Sequence, residues 1–563
     1  MRFLALQLQV VLAGAITCTC IGPASADLLE VRSFDGSGNN VDSPTFGQAN
    51  TQLLRMLPAN YPDGIGETIS VAPARPNPRV ISNTVSAQGT VSIFNNRGMS
   101  DFVWQWGQFV DHDIDLTESD LGNGSFPIPT PPLSDPFNGT PIAFDRSNFD
   151  SGTSVPGTPR EQINQISAYI DASNVYGSDA TRAAALRAGG GLGAKLDTSA
   201  GGLLLPVDSG EFFVGDVRGN EQLGLTSMHT LFIREHNRLV DLLAIQKPGA
   251  TDEELYQTAR KIVGAQMQVI TYSEFLPALV GDAAPVAGDF SYDNTLNAQI
   301  HNEFSTAAYR FGHSMLARDL QLANNDLTPN GSIALRDAFF NPSFLMADPS
   351  RVDQLLAGLA TQEAQEVDAL LVDDVRNFLF GLPPGGFDLG ALNLQRGRDH
   401  GLEDYNSVRV AYGLAAKASF LDPGDGSGIT TDPVLAAAMS AVYGADINNV
   451  DAWIGGLAEE HTFGSVGELV GAALIGQFTS LRDGDRFFYL NDPDLSHPDV
   501  LAVVGIVGDT TLHDVIVNNT AIDHTRLQNN VFFFYAVPEP SSFGLAALAL
   551  LSLGFVGWRR RRR

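Results

Sequence analysis

The feature that most constrains this chain is a fourteen-residue segment, 104–117, with the sequence WQWGQFVDHDIDLT. If the segment is helical, Gln108 and His112 lie four residues apart on one face, with Asp111 beside them. Asp113 lies about 100° further round the helix than His112, so it can serve a different site. One helix could therefore carry a catalytic imidazole on one side and a ligand for a hard cation on the other. The alternative is an amphipathic helix with a charged face toward solvent.

Charge and length limit the classes of partner and architecture. The chain has 563 residues and a formal charge of -30 at pH 7. An acidic surface of this size argues against nucleic acid and anionic membranes as partners, and favours solubility and cation binding. Only 17% of the residues are charged, so the chain can bury a large core. Length alone suggests three or four domains.

The first 26 residues have the pattern of a secretory signal peptide. Arg2 precedes an apolar run over 10–16, and Ala24 to Ala26 forms an A-x-A cleavage site. Both cysteines of the chain, Cys18 and Cys20, lie in this segment, so the mature protein would contain none. Export without disulfides is more typical of bacteria than of small secreted animal domains. The alternative is a lipoprotein anchor at Cys18, for which the preceding residues are a poor context.

The last residues, 537–563, differ in character from the rest. Pro538, Glu539 and Pro540 are followed by a mostly apolar run over 543–558 and by five arginines. This order resembles the PEP-type C-terminal sorting signal of Gram-negative bacteria, which an exosortase-like protease removes. The resemblance implies a transient membrane tether and a location in the cell envelope or outside the cell. An ordinary C-terminal membrane anchor is the alternative.

Between these ends, helical spacing predominates and strand-like alternation is scarce, which predicts a mainly α fold. Residues 27–100 are rich in Gly, Asn and Pro, so we expect irregular structure wrapped around a core. A Pro- and Gly-rich loop over 119–159 is long enough to be functional or a lid. An acidic loop over 421–433 fits no EF-hand spacing and is predicted to be a surface turn. Helices are predicted over 226–244, 254–279, 300–316 and 354–379.

Two further segments carry residues suited to a metal or a peroxide. Residues 167–173 offer alternating oxygen donors around Asp171, which together with Asp113 would make a plausible Ca²⁺ cage. Arg218 and Glu221 lie three residues apart, a spacing more typical of a surface ion pair. In a peroxide pocket, the same arginine would stabilise the negative charge that develops on the departing oxygen.

A last pair of segments would suit an iron ligand. His313 follows Tyr309-Arg310-Phe311-Gly312 late in the predicted helix, where a lone histidine is usually a core residue. A histidine that binds haem iron needs an acceptor for its other ring nitrogen. The side-chain carbonyl of Asn393 could supply that acceptor.

Together these segments resemble the animal-type haem peroxidases, the group of the peroxidase-cyclooxygenase superfamily that includes myeloperoxidase and peroxidasin. The resemblance runs from about residue 34 to about residue 535, and it implies one mainly helical domain, 27–536, with haem in a central helix bundle. It also implies a peroxidase that uses hydrogen peroxide to oxidise halides, pseudohalides or small aromatic donors. The matching motifs are WGQFVDHDIDLT, YIDASNVYGS, LTSMHTLFIREHNRL, YRFGH, LNLQRGRDHG and QFTSLRDGDRFFY.

Matching the motifs position by position implies a role for each site residue. His112 corresponds to the distal histidine, Arg218 to the distal arginine, and Gln108 to their neighbour in the peroxide and halide pocket. His313 corresponds to the proximal iron ligand, and Asn393 to its hydrogen-bond partner.

The same matching implies the groups that hold the cofactors. Asp111 and Glu221 correspond to carboxylates that form ester links to haem b in many members, and Arg310 and Arg396 to basic residues near the haem propionates. The implied Ca²⁺ ligands are Asp113, Ser167, Tyr169 through its carbonyl, Asp171 and Ser173.

Departures from the family pattern keep two alternatives open. Gln222 stands where myeloperoxidase has a methionine linked to haem, which puts strong chloride oxidation in doubt. Fatty-acid dioxygenases of the superfamily carry a radical-forming tyrosine three residues before the proximal histidine, where this chain has Arg310 and places Tyr309 one residue too early. The other alternative is an exported, Ca²⁺-stabilised matrix or adhesion protein without turnover, against which the intact His112, Arg218 and His313 argue.

Overall fold

Short irregular segments and helices alternate throughout the computed structural model, which describes residues 30–68, 75–89, 91–191, 193–383 and 385–534. The predicted signal peptide and the predicted sorting tail lie outside the described residues. The α-helices, in chain order, are α1 Pro78–Val85, α2 Phe102–Ile114, α3 Ser173–Tyr176, α4 Ala180–Ala185, α5 Ala188–Gly191, α6 Leu223–Gln246, α7 Asp252–Ile270, α8 Leu276–Val280, α9 Asn302–Thr306, α10 Leu335–Ala338, α11 Pro342–Ala347, α12 Arg351–Thr361, α13 Asp373–Arg376, α14 Leu389–Asp399, α15 Tyr405–Ala411, α16 Pro433–Val442, α17 Ala452–Leu457, α18 Glu468–Asp483, α19 Pro498–Val504 and α20 Leu512–Asn519.

The strands are short and form two-stranded pairs. Among the described residues, three pairs are antiparallel and the fourth pair, formed by residues 419–421 and 428–430, is parallel. The strands are β1 Thr51–Gln52, β2 Ile163–Asn164, β3 Val207–Asp208, β4 Glu211–Phe212, β5 Asp319–Ala323, β6 Pro329–Ala334, β7 Ser419–Leu421 and β8 Gly428–Thr430. The mainly α class predicted from the sequence is confirmed.

One hydrophobic core runs from Leu53 to Phe532 and joins helices from all parts of the described chain. Helix α2 lies inside it, since nearly every side chain from Phe102 to Ile114 is buried. A helix that is apolar on most sides is stable only when other elements surround it. The structure is a single helical domain, so the length-based expectation of three or four domains is wrong.

The polypeptide before α2 is largely irregular, as expected, and it is fixed by ion pairs to distant segments. The Arg32 guanidinium binds the Asp485 carboxylate with N–O distances of 2.8 and 2.7 Å. Helix α1 was not anticipated in this region. It begins where the Asn77 side chain accepts hydrogen bonds from the backbone N–H groups of Arg79 and Val80, with Pro78 at the first helical position.

Two of the predicted helices are shorter than expected. The helix predicted over 300–316 ends at Thr306, because Ala307 adopts non-helical angles (φ -129°, ψ -70°), and a 3₁₀ segment follows over Ala308–Ser314. The helix predicted over 354–379 ends at Thr361, and the chain then pairs with residues 87–100 through isolated bridges. Val367, Ala369 and Leu371 are buried in alternation, which is the period of an extended chain and not of a helix.

Candidate active site

A cavity of about 580 Å³ lies between α2, the segment before α6, the 3₁₀ segment Ala308–Ser314 and α14. Its volume falls within the range of ordinary ligand sites. It brings together residues that are two hundred or more positions apart in the sequence. The predicted site residues that line it are Gln108, Asp111, His112, Arg218, Glu221, Arg310, His313 and Arg396.

His112 is the buried imidazole that α2 presents to this cavity. Its Nε2 lies 3.9 Å from a Glu221 carboxylate oxygen, and its Nδ1 lies 3.6 Å from Asp216 Oδ1. Burial, followed by the positive charge of Arg218, holds the pKa of His112 well below its usual value. The ring is therefore neutral at pH 7 and can accept a proton.

Arg218 is held rigidly by Asp216, a residue that sequence reasoning missed. Nε and Nη2 of Arg218 donate to the two oxygens of Asp216 at 2.8 and 2.9 Å, and Nη2 also donates to the Asp115 carbonyl at 2.9 Å. The pKa of Asp216 is lowered because the positive charge and the hydrogen bonds of Arg218 outweigh the effect of burial. The only signal in the sequence was an acidic residue two positions before the arginine.

Two carboxyl groups of the cavity have raised pKa values. Burial raises the pKa of Asp111 to about 7 against the opposing charge of Arg218, whose Nη1 lies 3.5 Å from it. Burial also raises the pKa of Glu221. Asp111 is therefore poised between the acid and the carboxylate form near neutral pH.

Gln108 is anchored through its carbonyl. Gln222 Nε2 donates to Gln108 Oε1 at 3.0 Å and to Gln105 Oε1 at 2.6 Å. Gln222 also caps α6, because its Oε1 accepts the backbone N–H of Gly224 at 2.6 Å. The amide nitrogen of Gln108 donates to no other described residue, so it is available to a ligand in the cavity.

His313 lies in the 3₁₀ segment, whose three-residue turn places Arg310 and His313 on the same side. The Asn393 amide nitrogen lies 2.8 Å from His313 Nδ1, while Asn393 Oδ1 accepts from Arg310 Nη1 at 3.1 Å. This is the reverse of the orientation expected from the sequence, because Arg310 occupies the carbonyl. Iron binding through Nε2 would require the amide to turn over, which would free Arg310 for a haem carboxylate. Burial lowers the pKa of His313 to about 3, so the ring is neutral and suited to bind a metal.

Four of the five expected calcium ligands, Asp113, Ser167, Asp171 and Ser173, come together outside the cavity. Asp113 accepts the backbone N–H groups of Asp171, Ala172 and Asn174 at 3.0, 3.1 and 3.2 Å. Asp171 accepts from the Ser167 hydroxyl at 2.8 Å, and the Ser173 hydroxyl donates to the Asp113 carbonyl at 2.9 Å.

These oxygen donors fit a hard cation. Asp113 and Asp171 are buried, and burial followed by their mutual repulsion raises the pKa of Asp113 well above its usual value. Neither carboxylate makes a hydrogen bond to a Lys or Arg side chain within the described ranges. Two carboxylates, hydroxyls and carbonyls are the ligand types that Ca²⁺ takes. No cluster of three or more His, Cys, Asp or Glu placed to bind a metal occurs in the part of the chain that the structure describes.

The two loops singled out in the sequence lie outside the centre of the cavity. The 119–159 loop packs on α14 through Ile128, Phe137 and Ile142, and of its residues Ser119 lines the cavity. In the 421–433 loop, the Asp422 carboxylate accepts backbone N–H groups of its own turn. The surface turn predicted there is seen over residues 422–427, whereas residues 428–430 form the buried strand β8, which was not predicted.

None of the helices within the described residues combines the length and the apolar content that a bilayer crossing needs.

Comparison with known proteins places this arrangement in a family. The sequence profile described as animal haem peroxidase matches residues 31–532, and that of the PEP-CTERM protein-sorting motif matches residues 536–563. The chain is 33% identical to peroxinectin A of Dictyostelium discoideum over 89% of its length and 96% of that protein. It is 35% identical to myeloperoxidase of Mus musculus over 90% of its length and 77% of that protein.

Solved structures give the same result. Peroxidase A from Dictyostelium discoideum superposes with a TM-score of 0.76 at 30% identity, covering 90% of this chain and 99% of that one. A fatty acid alpha-dioxygenase from Arabidopsis thaliana superposes with a TM-score of 0.77 at 19% identity, covering 91% and 84%, which shows a common fold only. The sorting motif indicates export to the cell envelope. The chain is a peroxidase that belongs to the animal haem peroxidase family.

Proposed function

We propose that this protein is an exported haem peroxidase whose His112 and Arg218 act on hydrogen peroxide and whose reducing substrate is a small aromatic donor. The observation that carries the proposal is the convergence of His112, Arg218 and His313 on one cavity. Bound haem would supply an iron that accepts two oxidising equivalents from peroxide and passes them to the donor.

The residues around the cavity have properties suited to these roles. His313 would hold the iron, and Arg310 and Arg396 would face the haem carboxylates. Neutral His112 would take the proton of the bound peroxide and return it to the departing oxygen. Arg218, fixed by Asp216, would stabilise the negative charge on that oxygen. Gln108 would hold the peroxide or the donor through its free amide nitrogen.

Two further features of the cofactor sites are proposed. Asp111 and Glu221 would form the ester links to haem b, and burial raises the pKa of both carboxyl groups, which favours the acid form that esterification uses. Ca²⁺ would bind Asp113 and its partners. The proposed Ca²⁺ ligands are Asp113, Ser167, the Tyr169 carbonyl, Asp171 and Ser173.

The mouth of the cavity supports an aromatic donor over a halide. Phe340 and Phe380 line it, with ring centroids 4.9 Å apart and 53% and 40% of their surfaces exposed. Both residues have positive φ angles, 46° and 59°, a conformation that costs about 1–3 kcal/mol in a bulky residue. Exposed aromatic rings held in a strained backbone at a cavity mouth offer a stacking surface to a planar substrate.

The first experiment is an absorption spectrum of the purified protein before and after stoichiometric hydrogen peroxide, followed by acid-acetone extraction of haem. A Soret band that shifts with peroxide supports the site, and haem that resists extraction supports the ester links. If haem becomes extractable in Asp111→Asn and in Glu221→Gln, the ester links are assigned to these two carboxylates. Protein that takes up no haem would contradict the proposal and favour a non-catalytic matrix or adhesion role.

Donor choice can be tested at the cavity mouth. Phe380→Ala should raise KM for a phenol such as guaiacol while leaving the rate of bromide oxidation unchanged, because a halide needs no stacking surface. Phe94→Ala, a matched change at an exposed ring outside the cavity, should alter neither. Equal effects of Phe380→Ala on both donors would contradict the aromatic preference.

Fatty-acid dioxygenase activity is the second candidate, supported by the common fold of the plant enzymes. Arg310 occupies the position three residues before His313, and Tyr309 makes no hydrogen bond through its buried hydroxyl. We expect no oxygen uptake with palmitic acid. Uptake that disappears in Tyr309→Phe would favour the dioxygenase.

For the chain ends, we propose a cleaved signal peptide over residues 1–26 and removal of the tail over 537–563 by an exosortase-like protease in the envelope of a Gram-negative bacterium. The sorting-motif match supports the second step. Mass spectrometry of the protein recovered from such a cell would show both cleavages.

A further inference from the structure

Trp104 lines the same cavity as His112 and His313, yet the acid-base steps do not use it. Its side chain is 3% exposed. It packs beside Gly312, the residue before His313, because a Cβ added to Gly312 would lie 3.8 Å from the Trp104 Cβ. The Trp104 side chain therefore begins next to the segment that carries the proposed iron ligand.

Asp101 lies three residues before Trp104, and the Trp104 indole is the side chain that interacts with its carboxyl group. It precedes the first turn of α2, but its side chain does not cap the helix. It is fully buried, and neither of its carboxylate oxygens accepts a hydrogen bond of normal geometry from any described residue. A buried carboxylate without partners is costly to a fold, so its presence calls for another explanation.

The Asp101 carboxyl group and the Trp104 indole lie on the same side of the start of α2. The Trp104 Nε1–H is also buried without a hydrogen bond of normal geometry. Side chains three apart on a helix are neighbours, and the Trp104 indole is the group that opposes the effect of burial on Asp101. Burial raises the pKa of Asp101 to about 8. Once ionised, this carboxylate can accept the Nε1 proton that an indole loses when it gives up one electron.

Trp106, on the same helix, makes the contacts of a structural tryptophan. Its Nε1 donates to Thr271 Oγ1 at 3.2 Å, and its ring packs against Phe109, Phe232 and Phe532. It does not line the cavity. Only the indole next to the haem site faces an unpaired carboxylate in the described part of α2.

We propose that Trp104 is a redox-active residue of this peroxidase and that Asp101 accepts its proton. The inference rests on haem binding in the cavity, as proposed above. The Trp104 indole would give one electron to the haem site after peroxide has oxidised it, and its Nε1–H bond would break as the proton moves to Asp101. A phenolic donor then returns one electron to the indole, its own proton passes to solvent, and Asp101 returns the held proton to Nε1.

The test traps the radical on the protein. Haem-loaded protein at pH 8.5, above the pKa of Asp101, is treated with one equivalent of peroxide and a nitroso spin trap in the absence of donor, and the adduct is located by peptide mass spectrometry. The wild-type protein should carry the adduct on Trp104 and not on Trp106. Trp104→Phe should abolish it, Asp101→Asn should lower its yield at least fivefold, and Trp106→Phe should leave it unchanged.

Other results would overturn the inference. An adduct on Trp106 or Tyr309 with Trp104 unlabelled would assign the radical elsewhere, and full labelling of Trp104 in Asp101→Asn would remove the role of the carboxylate. A Soret band that responds to peroxide without labelling of Trp104 would sink this inference alone. A Soret band that does not respond would contradict the proposed function and this inference together. Circular dichroism and haem content establish that each variant is folded.

Discussion

Asp216 holds Arg218 through two parallel hydrogen bonds of 2.8 and 2.9 Å and reaches to within 3.6 Å of His112 Nδ1. One buried carboxylate thus fixes Arg218 by hydrogen bonds and lies beside His112 without a hydrogen bond to it. Asp216→Asn should slow the reaction of the haem protein with peroxide by about 100-fold, because small displacements of catalytic groups have effects of that size. Stopped-flow measurement of the Soret change gives this rate.

The effect of Asp216 should act through its two partners. In a His112→Ala, Arg218→Ala background, Asp216→Asn should have almost no further effect, because groups that work as a unit are not additive. Asp353→Asn is the matched control. Asp353 accepts a hydrogen bond of 2.8 Å from Arg234, and it does not line the cavity. An undiminished effect in the double-variant background would show that Asp216 serves only the fold.

Gln222 occupies the position of the haem-linked methionine of myeloperoxidase, but here it is a structural residue. Gln222→Met would remove the donor to Gln105 Oε1 and the cap on the Gly224 N–H. We expect a loss of about 1–3 kcal/mol in unfolding free energy and no gain in chloride oxidation. Thermal unfolding and a chlorination assay measure the two effects.

Gln354→Met, at a half-buried site on α12, should change stability little and so controls for the methionine itself. A stable Gln222→Met variant with new chloride activity would disprove this account of the capping side chain.

Calcium should stabilise the protein through Asp113 and Asp171. Binding to the folded state alone adds ~2.7 kcal/mol when calcium is at about 100 times its Kd. Chelation should therefore lower Tm, and Asp171→Asn should abolish the response to calcium. Differential scanning calorimetry with and without a chelator measures this.

The second acidic loop provides the control for the calcium site. Asp425→Asn alters the 421–433 loop, where Asp425 accepts hydrogen bonds from Ser427 of its own turn. The calcium-dependent rise in Tm should persist in this variant. If the calcium-dependent rise in Tm disappeared in Asp425→Asn and persisted in Asp171→Asn, the ion would bind in the 421–433 loop. That result would contradict the proposed calcium site.

How much of the site was foreseeable depended on whether it lay within one motif. Helix α2 was predictable because its residues repeat with helical period, and the structure places His112 and Asp113 toward different sites as the spacing required. The break at Ala307 was not predictable. It depends on tertiary contacts, among them the Arg310 Nε bond to the Ser305 carbonyl at 3.0 Å, which no local pattern encodes.

Side-chain pairings between segments were equally hidden from the sequence. The role of Asp216 depends on its distance from His112, more than one hundred positions away in the chain. The orientation of the Asn393 amide depends on Arg310, which competes with His313 for the carbonyl. The sequence motifs therefore predicted which residues share the site, but the hydrogen bonds between their individual atoms could be read only from the structure.

Asp101 should cost the protein stability, and the cost should depend on pH. Its pKa is raised from 3.8 to about 8 in the folded protein by burial. The folded state therefore binds the proton more tightly than the unfolded state, and stability falls as pH rises from about 4 to about 8, then levels off. Asp101→Asn removes this titration and should raise the unfolding free energy by a few kcal/mol at pH 8.5, on the order given by the shift in pKa.

Urea unfolding at pH 5 and pH 8.5 measures the difference, with Asp241→Asn as the control because the Asp241 side chain is 65% exposed. A gain of equal size at both pH values would show that the pKa of Asp101 is not raised in the folded protein. It would also weaken the case that this residue is retained for proton transfer with Trp104.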